Sequence, residues 1–143
     1  MTGVEPGCPF CAAAMGGSTT SVVYEAAEVL ALFPLQPAAL GHTLVIPRRH
    51  IPDLWALDPA DAAPLTHAVL HLAHAIRRGL CPDGLNVVTS AGAAASQTVP
   101  HLHIHLVPRW EGDAFGDLWP RPSPPLSPQA VHDAAASIRS SLA

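Results

Sequence analysis

Residues 97–110, QTVPHLHIHLVPRW, are the part of the sequence that decides the fold. Three histidines in this stretch, His101, His103 and His105, alternate with apolar residues. That period of two predicts a strand with one apolar face and a row of imidazoles on the other. Same-face side chains on a strand are about 7 Å apart, which suits contact with neighbouring atoms of one ligand. Because histidine acts as nucleophile, proton donor or metal ligand near neutral pH, the row indicates chemistry rather than a solvated surface.

Strand and turn signals before the histidine strand predict an α+β fold. β-branched and apolar runs predict a hairpin at 19–24 and 29–33, and further strands at 42–47 and 85–89. With the histidine strand they make five strands around one long helix, an order that favours mostly antiparallel neighbours.

The long helix is predicted between the third and fourth strands. Asp58 is a suitable N-cap and Pro59 suits the first turn. We expect the helix to end near Gly79, before Pro82. Its apolar stripe is Leu65, Val69, Leu72, Ile76 and Leu80. The opposite face carries three histidines at spacings that allow a metal pair but are more typical of a solvated face: His67, His71 and His74.

The two ends of the chain are expected to be irregular apart from one terminal helix. Residues 1–18 are rich in Gly, Pro, Cys and Ala and predict an irregular lead-in that needs a tether. Residues 116–128 are proline-rich and predict a loop. Residues 128–142 predict a short amphipathic C-terminal helix, with Val131, Ala135 and Ile138 on one side. Since no repeat or linker interrupts the sequence, 1–143 is interpreted as a single domain.

Composition excludes several classes of function. Of 143 residues, 49% are hydrophobic and 13% are charged, and the net charge is −4. This balance indicates a compact globular protein without the basic field that nucleic-acid binding needs. No stretch approaches the roughly 20 apolar residues of a membrane span. The chain begins without a secretory leader pattern, so we expect a cytoplasmic location and no membrane partner.

Cys8 and Cys11 form a Cys-x2-Cys pair, the spacing with which two thiolates bind one zinc ion. The pair supplies two of four ligands. Unbound thiols and a redox pair are the alternatives, and the redox interpretation is disfavoured because no strand precedes the motif. Cys81, which directly precedes Pro82, is expected to be a packed small residue rather than a ligand.

The loop before the histidine strand offers neutral hydrogen-bonding groups. Gln97 supplies an amide, and Thr98 and Ser96 supply hydroxyls. Neutral donors can hold a phosphate and leave its phosphorus electrophilic. One imidazole can then attack the phosphorus while another protonates the leaving group. The residues by themselves therefore predict chemistry at a phosphate through a phosphohistidine.

Residues 97–107, QTVPHLHIHLV, resemble the signature of the histidine triad (HIT) family, in which three histidines alternate with apolar residues after Gln-Ser/Thr-Val. The resemblance includes GHTLVIPRRH at 41–50 and GLNVV at 84–88, and it covers about residues 8–115. The cysteine pair resembles that of the bacterial zinc-containing members. VPRWEGDAF at 107–115 resembles the fragile-histidine-triad branch.

The resemblance implies a five-stranded antiparallel sheet in a nucleotide-binding domain, usually paired as a homodimer. It implies an enzyme that hydrolyses or transfers at the α-phosphate of a purine nucleotide, such as a dinucleoside polyphosphate or a nucleoside phosphoramidate. By motif position, His103 is the nucleophile and His105 contacts the phosphate and the leaving group. The positions implied to contact the substrate are Gln97, Thr98, Ser96, Ser90 and His42.

The resemblance also implies a metal group and an altered sugar contact. In members that keep the cysteine pair, a structural zinc site is closed by two histidines, and the corresponding set here is Cys8, Cys11, His50 and His101. The family usually carries an acidic residue or Asn after the second strand to hold the ribose, whereas Pro34 occupies that position here. Ribose recognition is therefore expected to differ. The alternative function is a nucleotide-binding regulatory module with little catalysis.

Overall fold

Five strands form one antiparallel sheet in the computed structural model, which describes residues 3–142. The strands are β1 (Val22–Glu25), β2 (Val29–Leu32), β3 (Thr43–Pro47), β4 (Gly84–Thr89) and β5 (Ile104–Arg109). Their order in the sheet is β1-β2-β3-β5-β4, and every neighbouring pair is antiparallel. The predicted fold class is confirmed. Met1, Thr2 and Ala143, which belong to the predicted lead-in and domain, lie outside the described residues.

The long helix forms as the sequence predicts. Within the described residues, the α-helices are α1 (Pro9–Ala12), α2 (Pro59–Leu80) and α3 (Pro128–Ser141). The carboxylate of Asp58 accepts the Ala60 N–H at 3.0 Å and so caps α2, and Cys81 ends it in the left-handed conformation with φ 50°. Cys81 is exposed, so its predicted packing is wrong. No helix in this part of the chain is long and apolar enough to cross a bilayer.

Both faces of the sheet are covered. On one face α2 packs its buried residues, Leu65, Ala68, Leu72 and Ile76, against residues such as Val45 and Leu106. On the other face, Leu44 and Ile46 pack against Ala13, with Phe10 beside them. The lead-in therefore contributes to the core, which positions it next to the histidines.

The lead-in is more regular than predicted. The four residues of α1 are followed by a wide helical turn at Ala13–Gly17. The Cys8 sulfur accepts the Cys11 N–H at 3.4 Å, and Pro9 occupies the first helical position. Because the cysteines themselves cap this turn, the prediction of a wholly irregular lead-in is wrong.

The histidine strand is shorter than predicted. β5 begins at Ile104, so the first two triad histidines precede it and only the third lies on it. Extending the β3–β5 register would pair Leu102 with Pro47, which has no N–H to donate. The Leu102 N–H instead donates to the Ile51 carbonyl at 2.6 Å. The prediction that all three histidines lie on one strand is therefore wrong, although the imidazoles of His103 and His105 remain neighbours, with ring centroids 4.9 Å apart.

The chain after β5 makes a fixed turn and continues into an exposed C-terminal helix. Arg109 donates two hydrogen bonds to the Asp113 carboxylate, both at 2.8 Å. This guanidinium holds the pKa of Asp113 well below its usual range. Beyond the turn, α3 has no buried residue, and its apolar Val131 and Ile138 are 53% and 63% exposed. The predicted amphipathic helix is present, but none of its residues is buried within residues 3–142.

Candidate active site and metal-binding group

A cleft of about 590 Å³ opens beside the histidines on the lead-in face of the sheet. Phe10, from the lead-in, contributes to one wall, and Phe33 and Pro34, which follow β2, contribute to the other. Sequence reasoning missed the lead-in wall. A signal was available, because Phe10 lies between the two cysteines whose tether would bring it to the histidines. The residues that close the end of the cleft include Thr98, His103 and His105.

His103 presents an unprotonated nitrogen. Its Nδ1 lies 2.7 Å from the backbone carbonyl oxygen of His101. A carbonyl oxygen only accepts, so Nδ1 carries the proton in this bond and Nε2 of the neutral ring keeps its lone pair. The Phe10 ring packs against the His103 imidazole at 5.1 Å and 66°. The backbone therefore holds His103 in one tautomer, with a lone pair available at the cleft.

His105 presents a protonated nitrogen, because a second backbone group sets its tautomer through His42. The Ala38 N–H donates to His42 Nδ1 at 3.0 Å, so the proton of the neutral His42 ring is on Nε2. That Nε2–H donates to His105 Nδ1 at 2.9 Å. His105 consequently carries its own proton on Nε2. His42 itself lies just before β3 rather than in it, at a turn where Gly41 has φ 79°.

Burial favours the neutral form of these imidazoles. It lowers the pKa of His42 and of His101, and it lowers the pKa of His105 to about 4. For His105, the repulsion from positive charge on His103 and His42 adds to the effect of burial. At neutral pH the free protein therefore holds His105 as a neutral hydrogen-bond donor.

Stability is expected to fall when the pH is lowered from 7.5 to 5. An unfolded histidine binds its proton near pH 6.5, whereas folded His105 binds it near pH 4. Between these pH values the unfolded chain binds more protons than the folded protein. The contribution of His105 to the free energy of unfolding is therefore complete above about pH 6.5 and decreases as the pH falls toward 4. The free energy of unfolding, measured by urea denaturation at pH 7.5 and at pH 5, should decrease less in His105→Asn than in the wild type. Equal declines in the two proteins would contradict the assignment, since they share every other titrating group.

The other predicted substrate contacts are distributed unevenly around the cleft. Thr98 lines it, whereas the lining within residues 3–142 does not include Gln97, Ser96, Ser90 or His42. The Gln97 amide accepts the Gly92 N–H at 2.8 Å and donates to the Pro52 and Val99 carbonyls at 2.7 and 3.0 Å. Gln97 thus fixes the loop that carries Thr98.

Four side chains, one of which is the first triad histidine, form a metal-compatible group. The ligand atoms of Cys8, Cys11, His50 and His101 all lie within 4.8 Å of one another, the one such group found among the described residues. The Cys8–His101, Cys11–His50 and Cys11–His101 sulfur–nitrogen distances are 3.4, 3.4 and 3.6 Å. Zinc bound tetrahedrally at ordinary bond lengths separates a sulfur and a nitrogen ligand by about 3.5 Å. The arrangement therefore fits a tetrahedral ion.

The hydrogen bonds around this group also fit a metal. His101 Nε2 donates to the Pro47 carbonyl at 2.9 Å, so the Nδ1 lone pair points at the sulfurs. Burial raises the pKa of the Cys11 thiol. A thiolate at this buried position therefore needs a cation beside it. The helix histidines His67 and His71, in contrast, are exposed and stack on each other at 6.3 Å.

Three comparisons identify the relatives of this chain. The family model described as the HIT domain matches residues 16–112. The crystal structure of a HIT family member from Bacillus subtilis is 36% identical, covers 96% of this chain and 98% of its own, and superposes with a TM-score of 0.85. A Zn-bound histidine triad family protein from Mycobacterium smegmatis is 33% identical, with 94% and 97% coverage and a TM-score of 0.72.

Among curated proteins, the adenylylsulfatase HINT3 of Arabidopsis thaliana is 35% identical over 112 residues. The match covers 78% of this chain and 55% of that protein. The family-model match at residues 16–112 includes the cleft histidines, and the fold superposes on that of the solved relatives. The chain belongs to the HIT family.

Proposed function

We propose that the protein is a nucleotide hydrolase or nucleotidyl transferase that cleaves at the α-phosphate of a purine nucleotide through a covalent intermediate on His103. The observation that carries this proposal is the pair of opposite tautomers at one end of the cleft. His103 offers a lone pair on Nε2 and His105 offers a proton on Nε2, with ring centroids 4.9 Å apart. The relative named as an adenylylsulfatase supports cleavage of a nucleotide.

The first step forms a bond between His103 Nε2 and the α-phosphorus. The bond from phosphorus to the leaving oxygen or nitrogen breaks, and the leaving atom keeps the electron pair. His105 stays in its neutral tautomer, and its Nε2–H donates a hydrogen bond to that atom as charge builds up there, while a leaving atom that needs a proton takes it from solvent. The His101 carbonyl stabilises the positive charge that develops on the His103 ring through the 2.7 Å bond.

The second step returns both histidines to their starting state. A water oxygen bonds to the phosphorus, the bond to His103 Nε2 breaks with its electron pair left on the nitrogen, and the water proton is released to solvent. The products are the nucleoside monophosphate and the leaving group. When another acceptor replaces water, the same step transfers the nucleotidyl group.

The test is detection of the intermediate. The protein is mixed with diadenosine tetraphosphate or with adenosine 5′-phosphoramidate, quenched without acid and analysed by intact-mass spectrometry. A mass increase of one adenylyl group that maps to His103, together with release of AMP, is expected. Absence of both the adduct and AMP with either substrate would contradict the proposal. Phosphorus NMR on a wider substrate panel then ranks the leaving groups.

A binding module with little catalysis is the second candidate function. The observation that favours it is Gln97, whose amide is occupied by three backbone groups rather than directed at the cleft. This candidate predicts that AMP binds in calorimetric titration while neither substrate is turned over. Turnover with burst-phase adduct formation favours the enzyme instead.

The proposal assigns a structural zinc ion to Cys8, Cys11, His50 and His101. Its support is the set of ligand distances and the zinc-bound relative from Mycobacterium smegmatis. The ion would tie the lead-in, and with it Phe10, to the catalytic histidines. We also assign the protein to the cytoplasm, where thiols stay reduced.

The proposal further includes a homodimer formed along β4. Both β1 and β4 are edge strands, but β1 is short and has a register irregularity between Val22 and Tyr24, which protects an edge from pairing. β4 has six residues in continuous register with β5, and its Val87 is 50% exposed. Leu70, on the outer surface of α2, is 58% exposed and adds to the available apolar area.

A lysine substitution on β4 is expected to dissociate the dimer, whereas the same substitution on β1 is not. Light scattering after size exclusion should give about twice the 14.9 kDa of one chain for the wild type. Val87→Lys should shift the mass toward that of one chain, because it places a charge on the pairing edge. Val23→Lys on β1, where the side chain is 43% exposed, is the matched control and should remain dimeric. A single-chain mass for the wild type at micromolar concentration would refute the dimer.

A further inference from the structure

The long walls of the cleft carry no charge. Among the residues that line it within 3–142, none is Asp, Glu, Lys, Arg or Asn. Of the described residues in the lining, only His103 and His105 are titratable, and both belong to the phosphate end. The rest of the lining is predominantly apolar, with Phe10 and Ala13 on one wall and Phe33 and Leu35 on the other. This cleft is built to contact a flat apolar group rather than a set of hydroxyls.

Among the hydroxyls that line the cleft, those of Ser18 and Thr20 already have backbone partners, whereas Thr19 and Thr98 are exposed. Thr20 Oγ1 donates to the Phe33 carbonyl at 2.6 Å, which joins the two walls of the cleft. Ser18 Oγ donates to the Thr20 carbonyl at 3.0 Å and accepts the Thr20 N–H at 3.3 Å. The protons of both side chains are therefore committed within the protein. Gln36, which is exposed, is the one amide side chain of the described lining.

Pro34 contributes no hydrogen-bonding side chain to the loop wall. It directly follows Phe33, whose carbonyl is held by Thr20, and its ring lines the cleft. Proline has neither an N–H nor a polar side-chain atom, so its side chain and amide cannot hydrogen-bond a sugar. The vicinal hydroxyls of a ribose are two donors, and a carboxylate is the side chain that accepts from both at once.

Discrimination between ribose and deoxyribose needs a group that bonds to the differing hydroxyl. A site built to hydrogen-bond a hydroxyl rejects the analogue without it by about 10⁴-fold, whereas an apolar site discriminates weakly. We propose that this cleft holds the nucleoside by its base and does not select for ribose, so that 2′-deoxynucleotides are ligands and substrates equal to ribonucleotides. This inference rests on the proposed function for turnover, but its binding part is independent of catalysis.

The test compares AMP with 2′-deoxy-AMP in calorimetric titration of the full chain, and adenosine with 2′-deoxyadenosine 5′-phosphoramidate in turnover. The Kd values and the kcat/KM values of each pair are expected to agree within about threefold. Equal binding without turnover would support the inference while refuting the proposed enzyme. Turnover with a ribose preference above about tenfold would refute the inference and leave the enzyme intact. If neither nucleotide binds at millimolar concentration, both are refuted.

A paired substitution locates the effect. Pro34→Asp adds the missing acceptor and is expected to raise the preference for AMP over 2′-deoxy-AMP to about tenfold or more. Pro37→Asp is the matched control, because Pro37 belongs to the same loop and does not line the cleft, and its preference should equal that of the wild type. A preference unchanged in Pro34→Asp, with the protein folded by circular dichroism, would show that the sugar lies elsewhere and overturn the assignment of this wall.

Discussion

Alanine in place of His103 is expected to lower kcat/KM for nucleotide cleavage by at least about 10⁴-fold while the protein stays folded. The substitution removes the Nε2 lone pair that would form the covalent bond. Residual activity would come from positioning by the cleft and from the His105 proton. The lost hydrogen bond to the His101 carbonyl contributes about 1 kcal/mol, so the melting temperature should fall by only a few degrees. Steady-state kinetics beside a thermal melt measures both effects.

Controls separate a nucleophile from a structural histidine. His67→Ala removes an exposed imidazole from α2 and should leave kcat/KM within about twofold of the wild type. In His103→Gly, added imidazole should restore part of the turnover, because a free ring can occupy the vacated space and attack the phosphorus. Activity of His103→Ala within tenfold of the wild type would rule out a His103 intermediate. Rescue of His103→Gly by imidazole would not be explained by a packing role of His103.

The parts of the fold that local chemistry controls were predictable from sequence. Asp58 and the apolar stripe predicted α2 to within one residue at its end, because a cap and a 3.6-residue period act locally. The start of β5 at Ile104, after the first two triad histidines, was not predictable in the same way. It depends on the register that places Pro47 of β3 opposite Leu102, and register is a property of two strands together.

The candidate site was likewise predictable from the sequence only in part. His103 and His105 were predicted as a pair, and both close the cleft. Their tautomers follow from the His101 carbonyl and, through His42, from the Ala38 N–H, which no spacing rule encodes. The four-ligand group was implied by resemblance to the family rather than by spacing, since Cys8 and Cys11 are distant in sequence from both histidines. The role of Gln97 in bracing its own loop was missed for the same reason, because its partners include Pro52.

The four-ligand group should make the fold depend on a metal. Protein purified without chelator is expected to contain about one zinc ion per chain, and Cys8→Ser should lose it. Without the ion, the lead-in loses its tether, and with it the packing of Ala13 and Phe10 against Leu44 and its neighbours. We expect the free energy of unfolding to fall by roughly 3 kcal/mol, which corresponds to a fall in melting temperature of about 10 °C.

The exposed cysteine provides the matched control for this experiment. Cys81→Ser makes the same chemical change at a position outside the metal group and should keep both the zinc and the melting temperature of the wild type. Because Phe10 lies between the ligand cysteines and packs on His103 at 5.1 Å, Cys8→Ser should also weaken AMP binding, which Cys81→Ser should not. Zinc-free wild-type protein, or equal melting temperatures for the two variants, would leave Cys8 and Cys11 as ordinary buried thiols. The combined loss of zinc, stability and AMP affinity in Cys8→Ser would instead establish that the metal group supports one wall of the active site.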